Sequence, residues 1–174
     1  MKKQEILFVD GYNMIGSWPF LQHLMHDNQM KEARDQLLFQ LSNYGKYRDI
    51  SIVVVFDAQH VPGITQTFDY ANVQVVFTEG GETADTYIER EVGRYINVHY
   101  RVVVATSDMA EQWLIFQRGA LRQSANELWL ELQYTQQEIQ SDIRHHYDRM
   151  IRRHSPWQLE QYAQLEKLRH DLNK

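Results

Sequence analysis

One stretch near the N-terminus, Ile6-Leu7-Phe8-Val9-Asp10-Gly11-Tyr12-Asn13-Met14, joins an apolar run to an acidic turn that contains glycine. A short apolar run bounded by turn residues is typical of a strand covered on both faces, and Gly11 lets the backbone turn where a side chain would be crowded. Ligands of open α/β sheets bind beyond the carboxyl ends of the strands. Asp10 and Asn13 therefore stand where a site is expected, although Asp10 alone is equally typical of a helix cap.

The same pattern recurs twice farther along the chain. The apolar run 52–56 ends in Asp57, and the run 102–107 ends in Asp108. In a parallel sheet all carboxyl ends lie along one edge, so neighbouring strands bring such side chains into a common cleft. The recurrence favours a functional role for these aspartates over three independent helix caps.

A fourth apolar run, 73–78, is followed by Glu79-Gly80-Gly81-Glu82-Thr83-Ala84-Asp85, which opens a helix. Carboxylates gathered at one edge repel each other, which raises a pKa or requires a cation. Oxygen ligands without cysteine favour Mg²⁺ or Mn²⁺ over structural zinc. The predicted metal ligands are Asp10, Asp85 and Asp108, with Asp57 and Glu82 as further candidates. Asp57 could lie away from the cleft, and an acid at the position of Glu82 is also what a helix dipole favours.

Length and composition limit the remaining possibilities. The chain has 174 residues, 43% of them hydrophobic, which is enough for one domain with a core. It contains no cysteine, so thiolate chemistry and disulfides are excluded. No apolar run reaches the length of a signal-peptide core or a membrane span, and we expect a cytoplasmic protein without membrane association. The net charge of −5 requires any contact with nucleic acid to be local.

Alternating strand and helix patterns up to residue 123 predict an α/β fold with a mostly parallel sheet between helices. Apolar spacing predicts helices over 31–48 and 83–97. Ser124 and Glu127 match a capping box that opens a long helix. Other predictions are a loop or short helix at 20–30, a loop around Pro62, a helix at 109–116, an edge strand at 120–122 and a last helix from Pro156.

The chain resembles the YacP-like NYN-domain ribonucleases, which are relatives of the PIN-domain nucleases. The resemblance rests on four motifs that appear in the expected order, at 9–16, 55–58, 82–85 and 105–108. The resemblance runs from the first strand to about Glu131. It implies a PIN-like, three-layer α/β/α nuclease domain over residues 1–131. Residues 132–174 are then expected to form a helical C-terminal extension.

The resemblance also implies an activity, which is metal-dependent endonucleolytic cleavage of RNA. Asp10, Asp85 and Asp108 fall on the family's acidic positions, and Asn13 matches the asparagine that is typical of the NYN group. These four residues are the expected catalytic residues. The family's association with the translating ribosome implies mRNA as the substrate, a role in mRNA decay and the ribosome as a partner.

Five arginines are candidates for binding RNA. Arg118 and Arg122 flank the turn after the predicted Asp108 helix, where gripping phosphate and surface ion pairing are equally good interpretations. Arg149, Arg152 and Arg153 are spaced to share one helical face. That face suits a phosphate backbone, but nearby acidic residues make a merely solvated helix an equal alternative.

Tyr12 and Trp18 are aromatic residues close to the first acidic turn. Aromatic rings in such positions can stack on nucleic-acid bases. Packing in the protein core is the equal alternative for both.

The leading hypothesis is an Mg²⁺- or Mn²⁺-dependent endoribonuclease that leaves 5′-phosphate and 3′-hydroxyl ends. A noncatalytic RNA- or ribosome-binding module on the same fold is the alternative, and it needs the basic helix but not the carboxylates. A phosphatase with an aspartyl nucleophile is disfavoured because no second aspartate stands two residues after Asp10. Dinucleotide binding and a zinc site are disfavoured because the glycine and histidine motifs they require are absent.

Overall fold

The computed structural model describes residues 3–57, 66–97, 99–108, 117, 119–154, 164, 166–167 and 169–170, with the backbone alone for 151–154. Secondary structure in this part of the chain alternates between strands and helices, as predicted. The elements in chain order are β1 (Gln4–Asp10), α1 (Gly11–Ser17), α2 (Pro19–His26), α3 (Met30–Arg48), β2 (Ser51–Phe56), β3 (Gln66–Tyr70), β4 (Val73–Phe77), α4 (Ala84–Tyr95), β5 (Tyr100–Ala105), β6 (Leu121–Gln123) and α5 (Ala125–His154).

The strands form one sheet in the order β3-β4-β2-β1-β5-β6. Every neighbouring pair is parallel except β3 and β4, so the prediction of a mostly parallel sheet is confirmed. The chain first builds outward from β1 through β2 and then returns to place β5 on the other side of β1. The carboxyl ends of β1 and β5 therefore flank the switch point at which α/β sheets bind ligands.

The sheet is covered on both faces because the middle of each central strand is a run of buried apolar residues. Leu7 and Val9 of β1 pack with Leu37 of α3 on one face. Phe8, whose side chain points the other way, packs with Ile88 of α4 on the opposite face. The result is the expected three-layer α/β/α arrangement.

The first part of α5 packs against the rest of the domain through polar contacts as well as apolar ones. The Trp18 indole N–H donates to the Ala125 carbonyl oxygen at 2.9 Å. The Tyr44 hydroxyl donates to Glu131 at 2.7 Å, and burial together with this bond raises the tyrosine pKa far above its ordinary value. Because Trp18 is fully buried, its interpretation as a base-stacking residue is wrong, and it belongs to the core.

The capping box that opens α5 is present as predicted. The Ser124 backbone N–H donates to the Glu127 carboxylate at 2.6 Å, and the Glu127 N–H donates to the Ser124 hydroxyl at 3.2 Å. The chain divides into two compact units, residues 1–136 and 137–174. The domain boundary expected after residue 131 stays a prediction.

Three features differ from the sequence-based expectations or extend them. Residues 66–70, expected to belong to a loop, form the antiparallel edge strand β3. The stretch 20–30 contains most of α2, which begins at Pro19 because the first helical position needs no backbone N–H. The predicted edge strand is present as β6.

Two predicted helices concern regions that are described little or not at all. The helix expected at 109–116 lies outside the described residues. Of the last predicted helix, residues 164, 166–167 and 169–170 are described, and they are helical. Among the residues that the structure covers, no helix combines the length and apolarity needed to cross a membrane.

Candidate functional site

The carboxyl groups of Asp10 and Asp85 lie within hydrogen-bonding reach of each other at the carboxyl edge of the sheet. Since Val9 faces α3, the alternation of β1 turns Asp10 toward α4. Asp85 stands in the first turn of α4, whose cap is Thr83. Sequence analysis predicted both residues as ligands, and the fold brings them together.

The environment of Asp10 opposes ionisation. Burial, partly offset by the hydrogen bond from the Asn13 backbone N–H, raises the pKa of Asp10 from 3.8 to about 6, with the negative charges of Asp85 and Asp57 adding to the rise. A carboxyl group in this setting takes up a proton more readily than an ordinary aspartate, and a cation partner would offset the cost of its charge. Perturbed groups of this kind are typical of functional sites.

Asp57 directly follows β2, the strand that pairs with β1 on one side. Its side chain continues the alternation of β2, in which Val55 faces α4 and Phe56 faces α3. Asp57 is therefore on the same face as Asp10, and its charge contributes to the raised pKa of Asp10.

Asp10 is also a helix cap, so the two interpretations of this residue are compatible. Its Oδ1 accepts a hydrogen bond from the Asn13 N–H at 3.0 Å, which fixes the first turn of α1. Position 11 requires glycine because the Phe56 ring leaves no room for a side chain. A Cβ at position 11 would come within 2.3 Å of that ring.

Asn13 connects this turn to the end of β5. Its side-chain oxygen accepts a hydrogen bond from the Ser107 backbone N–H at 2.8 Å. The hydroxyl of Ser17 donates to the Asn13 carbonyl at 2.8 Å and lies 3.4 Å from the Ser107 hydroxyl. The described contacts of Asn13 are thus contacts to protein, and its predicted role in catalysis stays a prediction.

Asp108 and Glu82 are placed differently from the central pair. Asp108 is exposed beyond the end of β5, and its backbone N–H donates to the Thr106 hydroxyl at 3.2 Å. Glu82 forms an ion pair with Arg90 of α4 and stands after Gly81, whose φ of 93° suits a glycine. The described ion pair of Glu82 is with Arg90, and the place of Glu82 among metal ligands stays a prediction.

The donor set consists of carboxylate oxygens, which suits a hard divalent cation. Within the described residues, no group of three His, Cys, Asp or Glu side chains is arranged to hold an ion. Mg²⁺ is commonly bound by one or two carboxylates together with several waters. Asp10 and Asp85 fit that mode of binding.

The five predicted RNA-binding arginines are only partly described. Arg122 is exposed on β6. Hydrogen bonds from Ser124 lower the pKa of Glu127, and the charge of Arg122 makes a smaller contribution in the same direction. Arg149 is exposed on α5, and Arg152 and Arg153 lie on the same helix, although their side chains are not described. Arg118 lies outside the described residues. RNA binding by these residues stays a prediction.

Sequence reasoning missed Arg34 of α3. Its Nη1 donates to the Tyr12 hydroxyl at 3.3 Å, and its guanidinium lies 6.0 Å from the centre of the Phe77 ring. Tyr12 is half-buried beside the Asp10 turn, where its ring meets Phe56 edge-on. No local pattern marks Arg34, because its partners are distant along the chain.

Comparison with known proteins agrees with the fold. The model of the YacP-like NYN domain family matches residues 7–170 and so continues past Glu131, where the sequence alone suggested no relative. The chain is 44% identical over 140 residues to the uncharacterized protein YacP of Bacillus subtilis (strain 168), covering 80% of this chain and 82% of that protein.

Two crystal structures of Rae1 (YacP) from Bacillus subtilis resemble the present structure. One matches with a TM-score of 0.72 and 39% identity over 97% of each chain. The other, a tryptophan-to-leucine variant, matches with a TM-score of 0.74 and 41% identity, covering 83% of this chain and 85% of that one. The chain therefore belongs to the YacP-like NYN domain family, a family associated with nuclease activity.

Proposed function

We propose that this protein is a divalent-metal-dependent endoribonuclease that hydrolyses phosphodiester bonds in RNA. The observation that carries the proposal is the Asp10–Asp85 carboxyl pair at the carboxyl edge of the sheet, with the pKa of Asp10 raised to about 6. Such a pair is unfavourable without a proton or a cation between its members. Membership of a family associated with nuclease activity supports the same chemistry.

In this proposal Asp10 and Asp85 hold Mg²⁺ or Mn²⁺ directly, and Asp57 and Asp108 hold the surrounding water. When bound, the cation lowers the pKa of a coordinated water and neutralises charge that develops on the phosphate. Burial and the neighbouring negative charges of Asp85 and Asp57 disfavour the ionised form of Asp10 in the absence of a cation. A bound cation would offset the repulsion between these charges. Asn13 keeps the Asp10 turn and the end of β5 at a fixed spacing.

We further propose that the substrate is mRNA on the translating ribosome and that cleavage contributes to mRNA decay in the cytoplasm. This part rests on the family resemblance. The overall net charge of −5 requires a local basic contact for any RNA. The face of α5 that carries Arg149, Arg152 and Arg153 is the proposed contact, together with Arg118 and Arg122.

The test is cleavage of a labelled RNA by the purified chain in EDTA, Mg²⁺ or Mn²⁺. Cleavage should require the metal and should leave 5′-phosphate ends. An Asp10→Asn variant should be inactive, because it loses the charged ligand while Asn still caps α1. The matched control is Asp49→Asn, which makes the same chemical change at an exposed position where φ is 57° and asparagine is well tolerated.

A noncatalytic RNA-binding module is the second candidate. The observation that favours it is that the described residues do not form a three-ligand metal group. Under this alternative the wild type binds RNA equally well with and without metal and never cleaves it. Metal-dependent cleavage that Asp10→Asn abolishes excludes the alternative.

A further inference from the structure

Arg34 is a half-buried cation that contacts Tyr12, two residues after Asp10, and its environment is unusual for a guanidinium. Its described contacts are the Tyr12 hydroxyl, at 3.3 Å, and the face of the Phe77 ring. Among the described residues no carboxylate lies within ion-pairing distance of Arg34. A guanidinium carries five N–H donors, and most of these are not used by the described contacts.

The rings around Arg34 form a continuous row. Tyr12 contacts Phe56 at a centroid distance of 5.1 Å, and Phe56 stacks on Phe77 at 5.3 Å. Phe77 in turn stacks on Phe68 of the edge strand β3 at 6.1 Å. Phe68 is 46% exposed, so the outer end of the row presents an aromatic surface to solvent.

The inner end of this row adjoins the acidic residues along the chain. Tyr12 stands two residues after Asp10, and Phe56 directly precedes Asp57. A cation and an exposed ring that are connected by a row of aromatic contacts match the two recurring parts of a nucleic-acid strand. Phosphate pairs with a guanidinium, and a base stacks on an aromatic ring.

We propose that Arg34 binds a backbone phosphate of the substrate RNA, and that Phe68 stacks on a base of the same strand. This inference rests on the proposed ribonuclease function. Tyr12 and Phe77 act as positioning residues, because they hold the guanidinium by its edge and its face. Arg34 thereby supplies a cation within an acidic chain, and its contact with Tyr12 connects it to the turn that follows Asp10.

The first measurement is affinity for a short single-stranded RNA across a salt series, in EDTA so that no cleavage occurs. Arg34→Gln should weaken binding about tenfold and should lower the log–log salt slope by about 0.7, the value for one phosphate contact on a single strand. The control is Arg101→Gln, which removes the same charge at a different place. Arg101 pairs with Glu5 near the amino ends of β5 and β1, away from the carboxyl ends where Asp10 lies. The control should keep wild-type affinity and slope.

Arg34→Lys separates charge from packing. Lysine keeps the cation but loses the planar group that lies over Phe77, so the salt slope should stay at the wild-type value even where the melting temperature falls. A slope lowered equally by Lys and Gln would assign Arg34 to packing and overturn the inference. Equal losses in Arg34→Gln and Arg101→Gln would overturn it as well.

Phe68→Ala tests the stacking contact, with Phe39→Ala as the control. Phe39 is 52% exposed on α3 and lies outside the ring row. Removing Phe68 should weaken binding about tenfold, the order for one stacked base, and should leave the salt slope unchanged. Equal affinities of these two variants would remove Phe68 from the proposed RNA surface.

The results also separate this inference from the proposed function. A wild-type chain that neither binds nor cleaves RNA would overturn both. Metal-dependent cleavage that is lost in Asp10→Asn, together with wild-type affinity and slope in Arg34→Gln, would overturn only the role of Arg34. In the outcome we expect, Arg34→Gln raises KM and changes kcat at saturating RNA by less than about twofold.

Discussion

The side-chain oxygen of Asn13 accepts a hydrogen bond from the backbone N–H of Ser107 at 2.8 Å, and this bond joins the turn after β1 to the end of β5. The backbone N–H of Asn13 donates to Asp10. Asn13 therefore connects the acidic residue of the first turn to the segment that carries Asp108. Both ends of the proposed site depend on its position.

Replacing Asn13 with alanine should reduce cleavage at least tenfold and lower the free energy of unfolding by about 0.5–1.5 kcal/mol, because the hydrogen bond is lost while the exposed Ser107 N–H regains water. Cleavage rate and chemical denaturation are the measurements. Ser17→Ala is the control, since it removes a neighbouring hydroxyl but keeps the Asn13–Ser107 bond. Equal effects of the two variants would contradict a specific role for Asn13.

The raised pKa of Asp10 makes stability without metal dependent on pH. The folded-state pKa of about 6 lies above the ordinary value of 3.8, so the folded state binds this proton more tightly than the unfolded chain. The stabilisation is complete below pH 3.8 and is lost as the pH rises through 6. The full difference is about 3 kcal/mol, an upper value for a single group.

Asp10→Asn should therefore melt at a higher temperature than the wild type in EDTA at pH 7.5, and the difference should shrink toward pH 4. Thermal unfolding of both proteins across this range is the measurement. A difference that does not change with pH would mean that Asp10 titrates normally in the folded chain. Loss of activity explained by unfolding of the variant would also remove the catalytic assignment.

Metal binding should reverse this order of stability. At pH 7.5, Mg²⁺ should raise the melting temperature of the wild type, because ligands that bind only the folded state stabilise it. Asp10→Asn and Asp85→Asn should respond much less, while Asp49→Asn should respond like the wild type. Equal shifts in all four proteins would place the bound ion elsewhere.

Two glycines of α1 give a matched pair for testing the packing beneath the site. A Cβ at Gly11 would meet the buried Phe56 ring at 2.3 Å, whereas a Cβ at Gly16 meets nothing within 4 Å. Gly11→Ala should lower the free energy of unfolding by about 1–3 kcal/mol through overpacking. Gly16→Ala should be neutral or stabilising by up to about 1 kcal/mol, because alanine favours helix. Equal denaturation midpoints would contradict the close contact with Phe56.

Much of the fold could be predicted from sequence because its central strands are apolar and end in recognisable turns. The proximity of Asp10 and Asp85 follows from the alternation of side chains along β1 and from the position at which α4 begins. Both features can be recognised from the local sequence. The edge strand β3 lacked such a signal, since Gln66–Tyr70 is mostly exposed. Arg34 was missed because its function in the fold depends on tertiary contacts with Tyr12 and Phe77.

The basic face of α5 provides the last prediction, which concerns binding rather than chemistry. Replacing Arg149, Arg152 and Arg153 together with glutamine should weaken RNA or ribosome binding and should lower the log–log salt slope by about 2, because up to three phosphate contacts are lost. Cleavage of a short RNA at saturation should persist, because Asp10 and Asp85 are unchanged. A triple variant that neutralises Lys46, Arg94 and Arg101 is the control for net charge. Unchanged affinity and slope would assign the helix face to solubility or packing and direct attention to Arg118 and Arg122.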